Sequence, residues 1–177
     1  GCKKVMKRKK IYLIGAVLII ILLGAVRFFY HSGEEYPEIS KDNRKRSENL
    51  EDVNRLLIKK DNEKIKSFVE RRGWQMKKTG SGLWYQIISS NEGKNINEGD
   101  MVKINYEIRL LDGTLCYTSD STGAKKFIVG KKETMVGLQE GIKLLSEGDR
   151  ARLIIPPHLG YGLIGDEERI PARAILV

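Results

Sequence analysis

The sequence predicts an α+β domain, an antiparallel curved sheet wrapped on one short helix, preceded by a transmembrane helix and an amphipathic helical segment. Three observations carry this. Residues 11–26, "IYLIGAVLIIILLGAV", hold no charge. Leu50, Val53, Leu56, Leu57, Ile65, Phe68 and Val69 recur at helical spacing. Beyond residue 80, short runs of strand character are separated by Gly and Asp turns, with one helical pattern inserted before the last pair.

Residues 1–10 carry six positive charges and no negative one, and read as a cytoplasmic N-terminus. The apolar run is extended past Arg27 by Phe28, Phe29 and Tyr30, so that residues 11–30 reach the roughly 20 residues a bilayer requires. Arg27 can snorkel while the aromatics sit at headgroup depth. No small-x-small cleavage site follows Val26, which favours a retained signal anchor over a cleaved leader. The basic end then faces the cytoplasm and the later residues the periplasm or exterior, as in a single-pass protein; a bacterial inner membrane with a periplasmic domain is the setting we expect. Met6 is a plausible start; a lipid-modified Cys2 competes with that reading, although no hydrophobic region precedes it.

Residues 31–49 are polar and poor in large apolar groups, as expected of a linker. Residues 50–79 read as helical. Asp61 and Asn62 are expected to split the helix in two, and Gly73 to end it in a left-handed cap. Its apolar stripe can dock on the following domain, bind a partner, or join two copies through residues 50–72.

Within residues 80–177, "LWYQII" reads as a strand. "MVKINYEIRLL" alternates Val102, Ile104, Tyr106 and Ile108 with polar residues, the pattern of one long strand with one buried face. Asp112-Gly113 turns the chain into a return strand, "TLCYTS". "KKFIVG" reads as a further strand. Val136, Leu138, Ile142 and Leu145 are expected along the sheet-facing side of a short helix running towards Gly148. "RARLIIP" and "IPARAILV" are expected to close the sheet. The last of these runs to Val177 without a capping residue, which leads us to expect a truncated final strand.

The net charge of +9 suggests nucleic acid until it is divided along the chain. Residues 80–177 carry twelve positive and thirteen negative charges, so no basic groove for phosphates is expected there. Cys2 and Cys116 make no disulfide framework. Cys116 has no Cys/His arrangement to activate it as a nucleophile, because His31 lies in the linker and only His158 remains. His158 with Asp166, Glu167 and Glu168 could be imagined as a metal site, but three successive acids read as a solvated turn, and neither metal nor cofactor is expected.

Taken in order, "GDMVKINYEIRLLDGT", "FIVGKKETMVGLQEGIKLLSEGDRARLIIPP", "LGYG" and "IPARAILV" resemble the FKBP-type peptidyl-prolyl cis-trans isomerases. "GLQEGIKLLSEGD", "YTS" and the helix ahead of "GLWY" are further similar to the gliding-motility-associated isomerases of Bacteroidetes. The resemblance implies a proline-binding bowl lined by Tyr106, Phe127, Met135, Leu138 and Ile170, flanked by Thr134, Cys116 and Tyr117. Tyr161 would offer its hydroxyl, and Met135 its amide, to a substrate carbonyl. Proline-containing polypeptides would be the partners. Such chemistry needs no nucleophile: an Xaa-Pro bond is held by amide resonance with a barrier of about 18–20 kcal/mol, and a dry pocket disfavours the charge-separated planar form. A core tyrosine with its hydroxyl tied to backbone is the competing reading of Tyr161.

The chain departs from the family pattern at several points. Cys116-Tyr117 stands where a phenylalanine and an aspartate are usual, Leu138 where a tryptophan is, and Lys125 where a second phenylalanine is. The resemblance therefore implies a pocket poorer in aromatic surface, without its usual supporting carboxylate, and weaker macrolide binding.

Overall fold

The computed structural model describes residues 22–28 and 41–177. These fall into two compact units, Gly1–Asn49 and Leu50–Val177. Residues 22–28 are helical and exposed. The rest of the expected membrane span, 11–30, lies outside the described residues, as do the basic N-terminus and residues 31–40 of the linker. No helix among the described residues is long and apolar enough to cross a membrane.

Helix α1, Lys41–Arg71, is continuous. It begins inside the stretch expected to be a linker, and Asp61 and Asn62 do not break it. Asp61 is buried at 6% exposure, with its carboxylate held by Arg173; that tertiary bond overrides the low helix propensity of Asp. The helix ends as expected: Gly73 takes φ +64, its amide donates to Glu70 and the Trp74 amide to Val69, a Schellman closure.

Seven short strands follow: β1 Lys77–Lys78, β2 Trp84–Ser89, β3 Met101–Ile104, β4 Glu107–Arg109, β5 Leu115–Thr118, β6 Lys125–Ile128 and β7 Arg150–Ile154. They form three antiparallel sheets, β1-β2-β7, β3-β6 and β4-β5, where one curved sheet was expected. The expected long strand "MVKINYEIRLL" is divided because it changes partner. β3 pairs with β6, while β4 pairs with β5, whose end is joined by a bond from the Ser119 amide to the Tyr106 carbonyl. The alternation of burial runs through the break unchanged, with Val102, Ile104, Tyr106 and Ile108 all turned inward.

Helix α2, Ser119–Thr122, is one turn capped by the Thr118 hydroxyl. Helix α3, Val136–Ile142, is shorter than expected; Leu138, Ile142 and Leu145 pack inward as expected, but Val136 does not. Val136 is 62% exposed; Gly137, Gly141 and Ile142 are buried. A Cβ on Gly137 would stand 2.6 Å from the Ile155 side chain, and one on Gly141 2.5 Å from Leu153, so the missing side chains are what let α3 lie against β7.

Alternation in β7 divides two cores. Leu153 meets α3, whereas its neighbour Ile154 packs with Ile65, Phe68 and Val69 of α1. Arg72 and Arg152 cover the Trp74 ring on that side, and the Phe68 and Trp74 rings meet edge to face at 5.5 Å. The C-terminal half of α1 thus docks on the domain, and burying each of these large side chains contributes about 1.5–3 kcal/mol. Leu50, Val53 and Leu56 remain exposed.

"IPARAILV" is not a strand over most of its length. Arg173 takes φ +58, its amide donates to the Gly162 carbonyl, and the Ala174 amide turns back to Pro171. Only Leu176 and Val177 pair with neighbours, Ile155 on one side and Arg109 with Leu110 on the other.

Candidate active site

An open cleft of about 1610 Å³ crosses the domain, and six of the expected site residues line it: Tyr106, Tyr117, Thr134, Met135, Leu138 and Tyr161. Three do not. Phe127 is 3% exposed and belongs to a separate core with Val129 and Ile142, behind Leu138, Val102 and Ile104, which pack against that core and line the cleft. Ile170, at 2%, and Cys116, at 1%, lie in the core beneath the cleft, which Tyr117, Met135 and Leu138 share with Leu159 and Leu176. They support the wall and do not form its surface. Ile108 and Ile155 line the cleft unforeseen.

Tyr161 sits just after the 3-10 turn Pro157–Leu159. Gly162, at φ +65, accommodates the tight bend that follows, while Gly160 keeps a negative φ of −110°. The ring is 37% exposed and its hydroxyl bonds to none of the described residues, which removes the reading of a buried tyrosine satisfied by backbone. Burial, followed by the charge of Asp166 and by Tyr106, pushes its phenol above the ordinary value. At neutral pH it therefore stays protonated and can donate. The Met135 amide, at the N-terminal boundary of α3, likewise donates to none of the described residues.

Tyr106 contributes its ring, because its hydroxyl already shares a 2.8 Å bond with Thr122. Tyr117 is similarly engaged. Its hydroxyl donates to Asp166 Oδ2 over 2.5 Å, and Glu168 stands at 3.3 Å. Asp166 Oδ1 accepts from the amides of Glu168, Arg169 and Ile170 at 2.7–3.0 Å. Burial alone would raise this carboxyl, but the Tyr117 hydroxyl and the three amides outweigh it and hold it down to about 2. The bond to Asp166, then burial and the adjacent negative charge, push the Tyr117 phenol far above its usual range.

The carboxylate expected to be absent is thus supplied from elsewhere: a tyrosine occupies the strand position and an aspartate 49 residues later faces it. Glu167 and Glu168 are exposed in a bend, as expected of a solvated turn, but Asp166 anchors that turn. The signal that could have revealed it is an Asp whose side chain can reach the amides two to four residues ahead, an Asx-type turn. Cys116 reinforces the same junction, its thiol donating to the Arg169 carbonyl at 3.5 Å and its own carbonyl accepting from Arg169 Nη1 at 3.0 Å. Burial and nearby carboxylates raise the thiol above its ordinary value, which leaves no reactive thiolate. His158 binds the Ser81 carbonyl and has a structural role.

Residues 92–177 match the family model of the FKBP-type peptidyl-prolyl cis-trans isomerases. The chain is 38% identical over 114 residues to the FKBP-type isomerase FkpA of Buchnera aphidicola subsp. Schizaphis graminum, covering 64% of this chain and 44% of that protein. It is 37% identical over 102 residues to a probable FkpA of Neisseria meningitidis serogroup B, covering 58% and 37% respectively. It therefore spans less than half the length of these curated relatives. The crystal structure of FkpA from Escherichia coli aligns over 95% of this chain and 91% of its own at a TM-score of 0.57 and 23% identity, a likeness of fold. Residues 92–177 thus form an FKBP-type peptidyl-prolyl cis-trans isomerase domain.

Proposed function

We propose that this chain accelerates cis-trans isomerisation at Xaa-Pro bonds of exported polypeptides, using the cleft beneath Tyr161. The observation that carries this is the Tyr161 phenol, partly exposed, lining the same cleft as apolar Met135, Leu138 and Ile155, with no bond to the described residues. A proline ring against that wall loses water, which disfavours the planar, charge-separated amide more than the twisted transition state. The Tyr161 hydroxyl and the Met135 amide are free to hold a substrate carbonyl while the bond turns. No covalent step is involved.

The setting is part of the proposal. Residues 11–30 would anchor the chain in a bacterial inner membrane, with the Leu50–Val177 unit in the periplasm. Uncatalysed prolyl isomerisation takes tens to hundreds of seconds and limits folding, so a catalyst held where chains emerge has work to do. A second reading, a catalytically weak binding module for an envelope partner, draws support from the exposed stripe Leu50, Val53 and Leu56 on α1.

Refolding of a protein whose slow phase is a prolyl isomerisation separates the two. Catalysis shortens that phase at substoichiometric amounts of the chain. A pure binding module suppresses aggregation at stoichiometric amounts and leaves the slow phase unchanged.

A further inference from the structure

The geometry points to helix α1 as a working part of the site, acting through Asp61 as a positioning residue for the loop that carries Tyr161. This rests on the functional reading above and goes beyond it by assigning a role to the helix.

Asp61 is the one buried charged residue among the described residues of the core. Its carboxylate accepts from Arg173 Nη2 at 2.6 Å across 112 residues of sequence. Docking alone would not require this pair. The surrounding contact, with Ile65, Phe68 and Val69 of α1 against Ile154 and Ile175, is apolar, and a buried ion pair there is no more stabilising than hydrophobic side chains of similar size. What the pair supplies is a fixed position for Arg173.

That position matters because Arg173 is held in a conformation an L-residue avoids, φ +58, and its amide donates to the Gly162 carbonyl at 3.0 Å. Gly162 follows Tyr161 directly. A chain of contacts therefore leads from α1, through Asp61 and Arg173, to the bend that aims the phenol. Asp166 pins the same loop from the opposite side, through Tyr117. With one end held by a strand and the other by the helix, the loop keeps Tyr161 at the cleft without a bond from its hydroxyl to any described residue.

The test uses the full chain in detergent or nanodiscs, with kcat/KM for an Xaa-Pro peptide measured by exchange NMR. Fluorotyrosine labelling reports the environment of the ring, its resonance assigned by Tyr161→Phe. Asp61→Asn is expected to lower kcat/KM about five-fold, the scale of one ordinary hydrogen bond, since Asn keeps an acceptor oxygen but loses the charge, and to shift the Tyr161 resonance. Arg173→Gly keeps the backbone amide, suits the positive φ and removes the guanidinium, so it is expected to give the same loss. The double variant should lose no more than either alone. Tryptophan fluorescence and helix content check that α1 stays docked.

Wild-type rates and an unmoved Tyr161 resonance in both single variants would overturn the inference, as would losses that add in the double variant. If Asp61→Asn releases the helix, Arg173→Gly decides the matter alone. An inactive wild-type chain would sink the functional reading itself, a separate outcome.

Discussion

The Tyr117 hydroxyl meets Asp166 Oδ2 at 2.5 Å, joining strand β5 to the loop that presents Tyr161. Neither residue need touch a substrate for the bond to matter, because Asp166 also organises the backbone from Glu168 to Ile170. Tyr117→Phe removes one bond to a charged acceptor and is expected to lower kcat/KM about five- to twenty-fold. Asp166→Asn, which also weakens the three amide bonds, should cost more than Tyr117→Phe. Equal, wild-type-like rates in both would show that the loop holds its shape without them.

The same carboxylate sets an acid limit. Its folded value, near 2, lies below the roughly 3.9 of a free aspartate, so its stabilising contribution is complete above pH 4 and is lost as pH falls through 2. Activity and thermal stability should therefore hold down to about pH 4 and decline below it. Asp166→Asn should flatten that decline. A variant with the wild-type acid profile would assign the limb to another group.

Close packing at α3 yields a prediction about stability. Gly137→Ala and Gly141→Ala place a methyl where Ile155 and Leu153 already stand, and each should destabilise by about 1–3 kcal/mol in urea unfolding despite alanine's better helix propensity. Val136→Ala, at an exposed position, should stay within about 0.5 kcal/mol. Stabilisation by either Gly→Ala change would mean that α3 can move away from β7.

The apolar stripe on the N-terminal part of α1 predicts self-association. Leu50, Val53 and Leu56 are exposed one turn apart, as a helix face awaiting a second copy would be. Sedimentation of the full chain in density-matched detergent should give a dimer, and Leu50→Glu with Leu56→Glu a monomer of unchanged isomerase rate. A wild-type chain that stays monomeric at every concentration would exclude this role.

How far the fold was legible depended on the range of the interactions involved. Local patterns carried through: the Gly73 cap, the Asp112-Gly113 hairpin, and the inward set Val102, Ile104, Tyr106 and Ile108 each depend on neighbours a few residues away. Long-range choices did not. Asp61 was expected to break a helix because its partner is 112 residues distant, and Asp166 was read as solvated because Tyr117 is 49 residues away. On α3 the expected face held at Leu138, Ile142 and, just past the helix, Leu145, and failed only at Val136; the close approach to β7 is made by Gly137 and Gly141, which carry no apolar signal. Phe127 and Ile170 show the limit of reading a pocket from composition: an apolar residue in the right block is as well suited to the layer behind the wall as to the wall.

The central claim is tested most directly by the cis-trans exchange rate of an Xaa-Pro peptide, followed by NMR in the presence of the full chain and of its Tyr161→Phe variant. Wild type is expected to accelerate exchange, with kcat/KM at least about five-fold higher than in the variant, the proposed role of the lost hydroxyl being to donate to the substrate carbonyl. Equal acceleration by both proteins, or none by either, would contradict the assignment of the cleft beneath Tyr161 as the catalytic site.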